Sequence, residues 1–299
     1  MSVKNKKQKL LLLGFGDIAK RLAKEIIGEY DITGLRRSTD TYAGVNVIQA
    51  DCRDKLAVID VTRKDFDVIV ITMTPDEMSD SGYQQAYVQT VQTLLCALHK
   101  NNLSPRLIIF VSSSSVYGQH ENEWVDESSS THPNSYSGKR LLEAEKLLID
   151  SSYSSSVVRF SGIYGVGRQR LIEQVRAGNG ARQEPVLYSN RIHSDDCAGV
   201  LAHIIKREKE SKKIESIYLA TDCKPSPLYD VKCWLADQLG LSHQLKPTVL
   251  NSSALNTKKE GRTLRASKRC SNQRLLASGY RFLYPTFKEG YQMVLKNLK

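Results

Sequence analysis

No stretch of the sequence approaches the roughly 18 uninterrupted apolar residues of a membrane helix, so no spanning segment is expected. The first apolar run is only LLLL, Leu10–Leu13, broken at Gly14 and followed at once by Asp17, Lys20 and Arg21. A secretory core needs about 7 to 15 apolar residues, so this run reads as a buried strand. Cysteine is sparse and scattered: Cys52, Cys96, Cys197, Cys223, Cys233 and Cys270 form no C-x-x-C pair and no Cys/His cluster with zinc spacing. No metal site is expected, and the thiols are expected to be reduced packing residues of a cytoplasmic protein. Internal repeats and long low-complexity tracts are absent, SSYSSS at 151–156 being a short polar loop.

Acidic residues are in deficit: 43 Lys and Arg stand against 32 Asp and Glu, a net charge of +11 with a pI near 9.3. Such an excess favours anionic ligands, whether nucleotides, phosphorylated sugars or nucleic acid. The densest basic stretch, KKEGRTLRASKRCSNQR at 258–274, holds seven Lys or Arg and one Glu. It is either a solvated face or a surface for a phosphorylated ligand. Aromatic residues are not interleaved with it as a stacking platform requires, so nucleic acid ranks last among partners.

What is present is an alternation. KLLLLGFG is followed by the helical pattern DIAKRLAKEIIGEY, then DITGLRR, VNVIQAD and FDVIVITMT, then the helical YQQAYVQTVQTLLCALHKN, then RLIIFVSSSS. Continuous apolar runs are strands buried on both faces, and the segments between them carry a three-to-four period. The chain is therefore expected to be an α/β protein with a doubly wound parallel sheet of Rossmann type and a smaller C-terminal substrate lobe. The expected lobes are 1–163 plus 190–221 for nucleotide binding and 164–189 plus 222–299 for substrate.

LLLLGFGDIAKRLA places Gly14, Gly16 and Ala19 in a G-x-G-x-x-A pattern between a strand and a helix. The first glycine permits a tight turn, the second lets the backbone approach a pyrophosphate, and Ala19 lets helix and strand pack closely. Asp17, Ile18 and Ala19 open the helix whose N-terminal amides would face the phosphates. An acidic residue at the end of the second strand would hold the ribose of NAD, and it is missing. Arg36 and Arg37 stand there instead, a pair of guanidinium groups suited to a 2′-phosphate, so NADP is expected with NAD as the alternative. Asp51, at the end of the third strand, is placed to accept from an adenine amino group or to cap a loop, and Thr72 after the fourth strand completes the cofactor candidates.

VSSSSVYG (111–118), SYSGKRLLEAE (135–145), RFSGIYGVGR (159–168) and RIHSDD (191–196) together resemble, in order and spacing, the extended short-chain dehydrogenase/reductases, the NAD(P)-dependent epimerase/dehydratase family. The tail SKRCSNQRLLASGYRFLYPTFKEG is similar to an atypical bacterial, sugar-nucleotide epimerase-like branch. The resemblance implies a Rossmann lobe binding NAD(P), a nucleotide-linked or otherwise anionic sugar in the cleft beside a small C-terminal lobe, and a homodimer. It also implies that Ser113, four residues before Tyr117, binds the substrate oxygen.

The family's tyrosine and lysine stand one helical turn apart, and that pair is missing here. In one register Tyr136 is the acid or base and Arg140, four residues on, supplies charge without relaying protons. In the other, alignment on Gly138 and Glu145 puts Ser137 at the tyrosine position and Leu141 at the lysine position, on a ridge with Ala144 and Leu148 that suits packing on the sheet. Tyr136 is then displaced, and a non-catalytic NAD(P)-binding sensor or scaffold becomes the alternative to an oxidoreductase or epimerase. Arg159 and Arg168 are expected to bind substrate phosphate or to form surface ion pairs. His193 is expected beside the substrate, ordering a loop, Asp195 and Asp196 to cap the next helix, and Arg265, Lys268 and Arg269 to meet the anionic end of the substrate.

Overall fold

The computed structural model describes residues 7–244 and 267–298. A seven-stranded sheet forms its centre, built from β1 (Gln8–Leu13), β2 (Tyr30–Arg36), β3 (Val45–Gln49), β4 (Val68–Ile71), β5 (Leu107–Ser113), β7 (Ser155–Phe160) and β11 (Ile217–Ala220). Its order is β11-β7-β5-β4-β1-β2-β3, with β1 parallel to both β2 and β4. The expected doubly wound α/β architecture is what the chain adopts. β1 crosses the middle of the sheet, and Leu10, Leu11, Leu12 and Leu13 are all fully buried. Each such side chain contributes up to about 1.5–3 kcal/mol, which is why an uninterrupted leucine run marks a central parallel strand.

By contact the chain divides into two compact units, 1–116 with 133–159 and 197–218, and 117–132 with 160–196 and 219–299. Residues 117–132, 160–163, 190–196 and 219–221, expected with the nucleotide lobe, cluster in the second unit.

In the first unit, helix α1 (Asp17–Ile26) buries Ile18, Ala19, Leu22, Ala23 and Ile26 along one face. α2 (Lys55–Thr62) follows β3 and is capped by Asp54, whose carboxylate accepts from the amides of Leu56 and Ala57. α3 (Asp80–Tyr83) runs through a π-helical segment, Gln84–Gln89, into α4 (Thr90–Lys100). α5 (Tyr136–Ile149) starts at Ser135, whose hydroxyl accepts from the amide of Gly138. β2 and β3 pair in parallel with no helix in residues 37–44 between them, whereas α2 stands between β3 and β4, where the sequence reading named none.

The second unit holds β6 (Trp124–Val125), β8 (Gly162–Tyr164), α6 (Arg170–Arg176), β9 (Tyr188–Ser189), β10 (Arg191–His193), β12 (Ser226–Pro227), α8 (Leu228–Leu239), β13 (Arg269–Cys270), α9 (Gln273–Ala277) and α10 (Phe287–Lys296). Helix α7 (Ser194–Lys209) begins in this unit and continues in the first. A separate core joins Tyr164, Ile172, Val175, Leu235, Phe287 and Tyr291. Tyr164 and Tyr291 are stacked at 4.4 Å, and Trp234 meets Phe287 edge-on at 5.5 Å. Thr286 and Glu289 close a capping box at the start of α10, which satisfies amides that the helix itself cannot.

Candidate nucleotide and catalytic sites

The carboxyl ends of β1, β2, β3 and β4 open on a cavity of about 530 Å³ in the first unit. Gly14 turns there with φ +87°, and a Cβ at this position would lie 2.7 Å from the carbonyl oxygen of Thr72. Only glycine meets both demands. The loop is fastened across β2, where the amides of Gly14 and Phe15 donate to the carbonyl of Leu35 at 3.2 and 2.7 Å. It is fastened to β4 by the Thr72 hydroxyl, which donates to the Gly14 carbonyl at 2.8 Å. Gly16 is the N-cap of α1 and offers no capping side chain, which leaves the helix start open to an anion.

Six sequence candidates line this one cavity: Gly14, Gly16, Arg36, Arg37, Asp51 and Thr72. Asp17, Ile18 and Ala19 are not on its lining; Ile18 and Ala19 pack in the core, and Asp17 accepts from Arg21 at 2.9 Å. The cavity also has two charged lining residues that sequence reasoning missed, Arg53 and Asp76. Asp76 receives both terminal nitrogens of Arg37, and Arg53 binds Asp51 at 2.6 Å while approaching Asp76 at 3.6 Å. Arg36 is paired with Asp40. Hydrogen bonds from these guanidinium groups hold the carboxyls of Asp51 and Asp76 below their ordinary range, Arg53 acting on the first and Arg37 on the second. Arg53 sits two residues beyond Asp51, a spacing that could have flagged it; nothing in the loop after β4 singles out Asp76.

The residues fit a dinucleotide. The glycine turn and the open helix start suit a pyrophosphate.

Ser113 ends β5, and its hydroxyl accepts from the amide of Ser115 at 3.2 Å. Tyr136 is the first residue of α5; its hydroxyl donates to the carbonyl of Met78, and its ring meets Tyr83 edge-on at 5.6 Å. No hydrogen bond joins Tyr136 to Ser113. Arg140 is engaged twice, with Asp80 through two bonds of 2.8 Å and with Glu143 at 2.8 Å. The ridge of α5 that faces inward is the other one: Ser137, Leu141, Ala144 and Leu148 are all buried. Gly138 sets how α5 lies, because a Cβ there would stand 2.3 Å from the Ser115 carbonyl oxygen.

On the same inward side, Glu145 takes the guanidinium of Arg159 at 2.6 Å and the hydroxyl of Ser112 at 2.5 Å, the two charged side chains being 1% and 4% exposed. Arg159, expected either to bind substrate phosphate or to form a surface ion pair, is part of an internal pair. The signal was available: Glu145 lies four residues from Leu141 and three from Leu148, on the apolar ridge.

The second unit holds the remaining candidates. His193 is fully buried between the rings of Tyr164 and Tyr284, at 5.3 and 4.2 Å, and its Nδ1 accepts from the amide of Asp195 at 3.2 Å. Arg168 is exposed. Lys268 is buried, its ammonium donating to the Tyr117 carbonyl at 3.1 Å, and burial lowers its pKa. Arg269 is half-buried between the rings of Trp124 and Tyr188, 5.0 and 5.3 Å away, and donates to the Asn122 carbonyl. Arg265 lies outside the described residues. Asp196 does not cap α7 as expected. Its carboxylate instead accepts from Tyr280 at 2.9 Å and from the amides of Leu283 and Tyr284 at 2.8 and 3.0 Å, clamping the tail.

Residues 10–220 match the sequence profile of the NAD dependent epimerase/dehydratase family. The chain belongs to that family. A provisional NAD-dependent epimerase/dehydratase from Methylobacillus flagellatus is 34% identical, with 98% of this chain and 99% of that one covered and a TM-score of 0.78. Two more distant structures share the fold. One is the dTDP-glucose 4,6-dehydratase from Streptomyces venezuelae with NAD bound, at 16% identity, 97% and 96% coverage and a TM-score of 0.78. The other is the UDP-N-acetylglucosamine 4-epimerase from Bacillus cereus, at 16% identity, 98% and 100% coverage and a TM-score of 0.76. No curated protein matches. Among the described residues there is no cluster of His, Cys, Asp or Glu able to hold a metal ion, and no helix is long and apolar enough to cross a membrane.

Proposed function

We propose that this protein is an NADP-preferring oxidoreductase or epimerase that acts on a phosphorylated or nucleotide-linked sugar in the cytoplasm. The observation that carries the proposal is the convergence of Gly14, Gly16, Arg36, Arg37, Asp51 and Thr72 on one cavity at the carboxyl ends of the strands, where open parallel sheets bind their ligands. Arg36 ends β2 and Arg37 follows it, with no acidic residue at either position, which supports NADP over NAD. The six cysteines are free thiols, which supports a reducing compartment. The bound nicotinamide would supply the hydride chemistry. Ser113 would polarise the substrate oxygen, and Tyr136 would exchange its proton after giving up the Met78 carbonyl.

Titration of the purified protein with NADPH and NADH, followed by nicotinamide fluorescence, tests the cofactor assignment. NADPH should bind more tightly, and Arg37→Ala should weaken NADPH while sparing NADH. Tighter binding of NADH overturns the preference, and binding of neither overturns the site.

A second reading, a dinucleotide-binding sensor or scaffold without turnover, is favoured by one observation. The inward ridge of α5 carries Ser137 and Leu141, while the Tyr136 hydroxyl is held by a backbone carbonyl. Cofactor binding with no turnover across a broad nucleotide-sugar panel favours it. A single cofactor-dependent conversion that Tyr136→Phe abolishes eliminates it.

A further inference from the structure

The cation best placed for a 2′-phosphate is already occupied. Arg37 gives both terminal nitrogens to Asp76, in the bidentate arrangement that a phosphate would also demand. Its neighbours are engaged as well, because Arg36 shares Asp40 with Lys20 and Arg53 is held by Asp51. Arg36, Arg37, Arg53, Asp51 and Asp76 all line the cavity, so its wall carries three positive and two negative charges. A dianionic phosphate arriving there must displace one carboxylate from a guanidinium and then lie beside it. The Arg37–Asp76 pair is the one open to displacement: its side chains are 55% and 44% exposed, against 23% and 32% for Arg53 and Asp51.

We propose that Asp76 sets the discrimination between NADP and NAD by competing with the 2′-phosphate for Arg37. The assignment rests on the dinucleotide site proposed above and adds to it a residue opposed to binding. A cofactor lacking the 2′-phosphate leaves the ion pair intact and meets no competitor. One carrying it must break the pair, so the selectivity of the site is the phosphate's gain at Arg37 minus the loss of Asp76.

The experiment is calorimetric titration of the full chain, wild type and Asp76→Asn, with NADPH, NADH, 2′,5′-ADP and 5′-AMP. Exposed ion pairs are worth about 0–1 kcal/mol, up to about fivefold in affinity, and removing a negative charge beside the phosphate adds to this. Asp76→Asn should tighten NADPH and 2′,5′-ADP by about three- to tenfold and leave NADH and 5′-AMP within about twofold of wild type. In an Arg37→Gln background the same substitution should give a clearly smaller gain, the part due to the removed charge alone.

Equal tightening of all four ligands would show a general charge effect and overturn the role of Asp76. No tightening of the phosphorylated pair overturns it also, while wild-type binding of NADPH leaves the dinucleotide site standing. If wild-type protein binds none of the four, the site itself fails and the role of Asp76 with it. Asp76 is on the surface, and thermal melting of each variant separates any folding defect from a binding effect.

Discussion

Asp222 follows β11 and is only 2% exposed. Its carboxyl accepts the amide of Lys224 at 3.2 Å and has no ion pair among the described residues. Burial pushes it from the ordinary 3.8 up to about 7; Arg191 and the Lys224 amide pull the other way, while Asp196 and Glu289 push with the burial. The folded state therefore holds this proton through a range where the unfolded chain has lost it.

Stability from this group is full below about pH 4, declines as pH rises, and levels off above about pH 7. An interval of about three pH units at about 1.4 kcal/mol each amounts to about 4 kcal/mol. Asp222→Asn keeps an oxygen for the Lys224 amide and cannot titrate. Urea unfolding of both proteins at half-unit steps from pH 4.5 to 8 isolates the group, because every other titration cancels in the difference. Wild type should lose ground to the variant steadily across that window, by several kcal/mol in all. A difference that stays flat with pH, or that moves in favour of wild type, refutes the burial argument.

Two further perturbations test the interior of the first unit. Glu145→Gln removes the carboxylate from the internal Arg159 guanidinium and should cost about 3–5 kcal/mol in urea unfolding; a loss below about 1 kcal/mol would mean the pair is hydrated like a surface one. Gly138→Ala drives a Cβ against the Ser115 carbonyl oxygen, 2.3 Å away, and should destabilise by about 1–3 kcal/mol. An unchanged melting temperature would show that α5 is free to move off that turn.

The architecture was readable because parallel strands buried on both faces must be apolar throughout, as in LLLL and VIVI. The cavity was readable for a related reason: successive strands end on the same edge, so Gly14, Arg36, Asp51 and Thr72 meet although they are far apart in sequence. What stayed hidden were partners. Asp76 and Met78 belong to a loop and Asp80 opens the four-residue α3, a stretch with no period to betray what they touch, so the occupancy of Arg37, Arg140 and Tyr136 could not be seen. Lys268 stands in a basic run that reads as a solvated face, yet its ammonium is inside. Lys268 precedes β13 and Arg269 opens it, and their side chains part, one to a carbonyl and the other between two aromatic rings.

Asp76, Met78 and Asp80 alternate along one short stretch, and each grips a different group: a guanidinium of the cavity wall, a phenol, and a second guanidinium on α5. Inserting or deleting a single residue between them would put at least one grip out of step with the others, whatever its side chain. The length of the stretch is therefore held along with its two carboxylates, while Met78, which grips through its backbone carbonyl, is free to change.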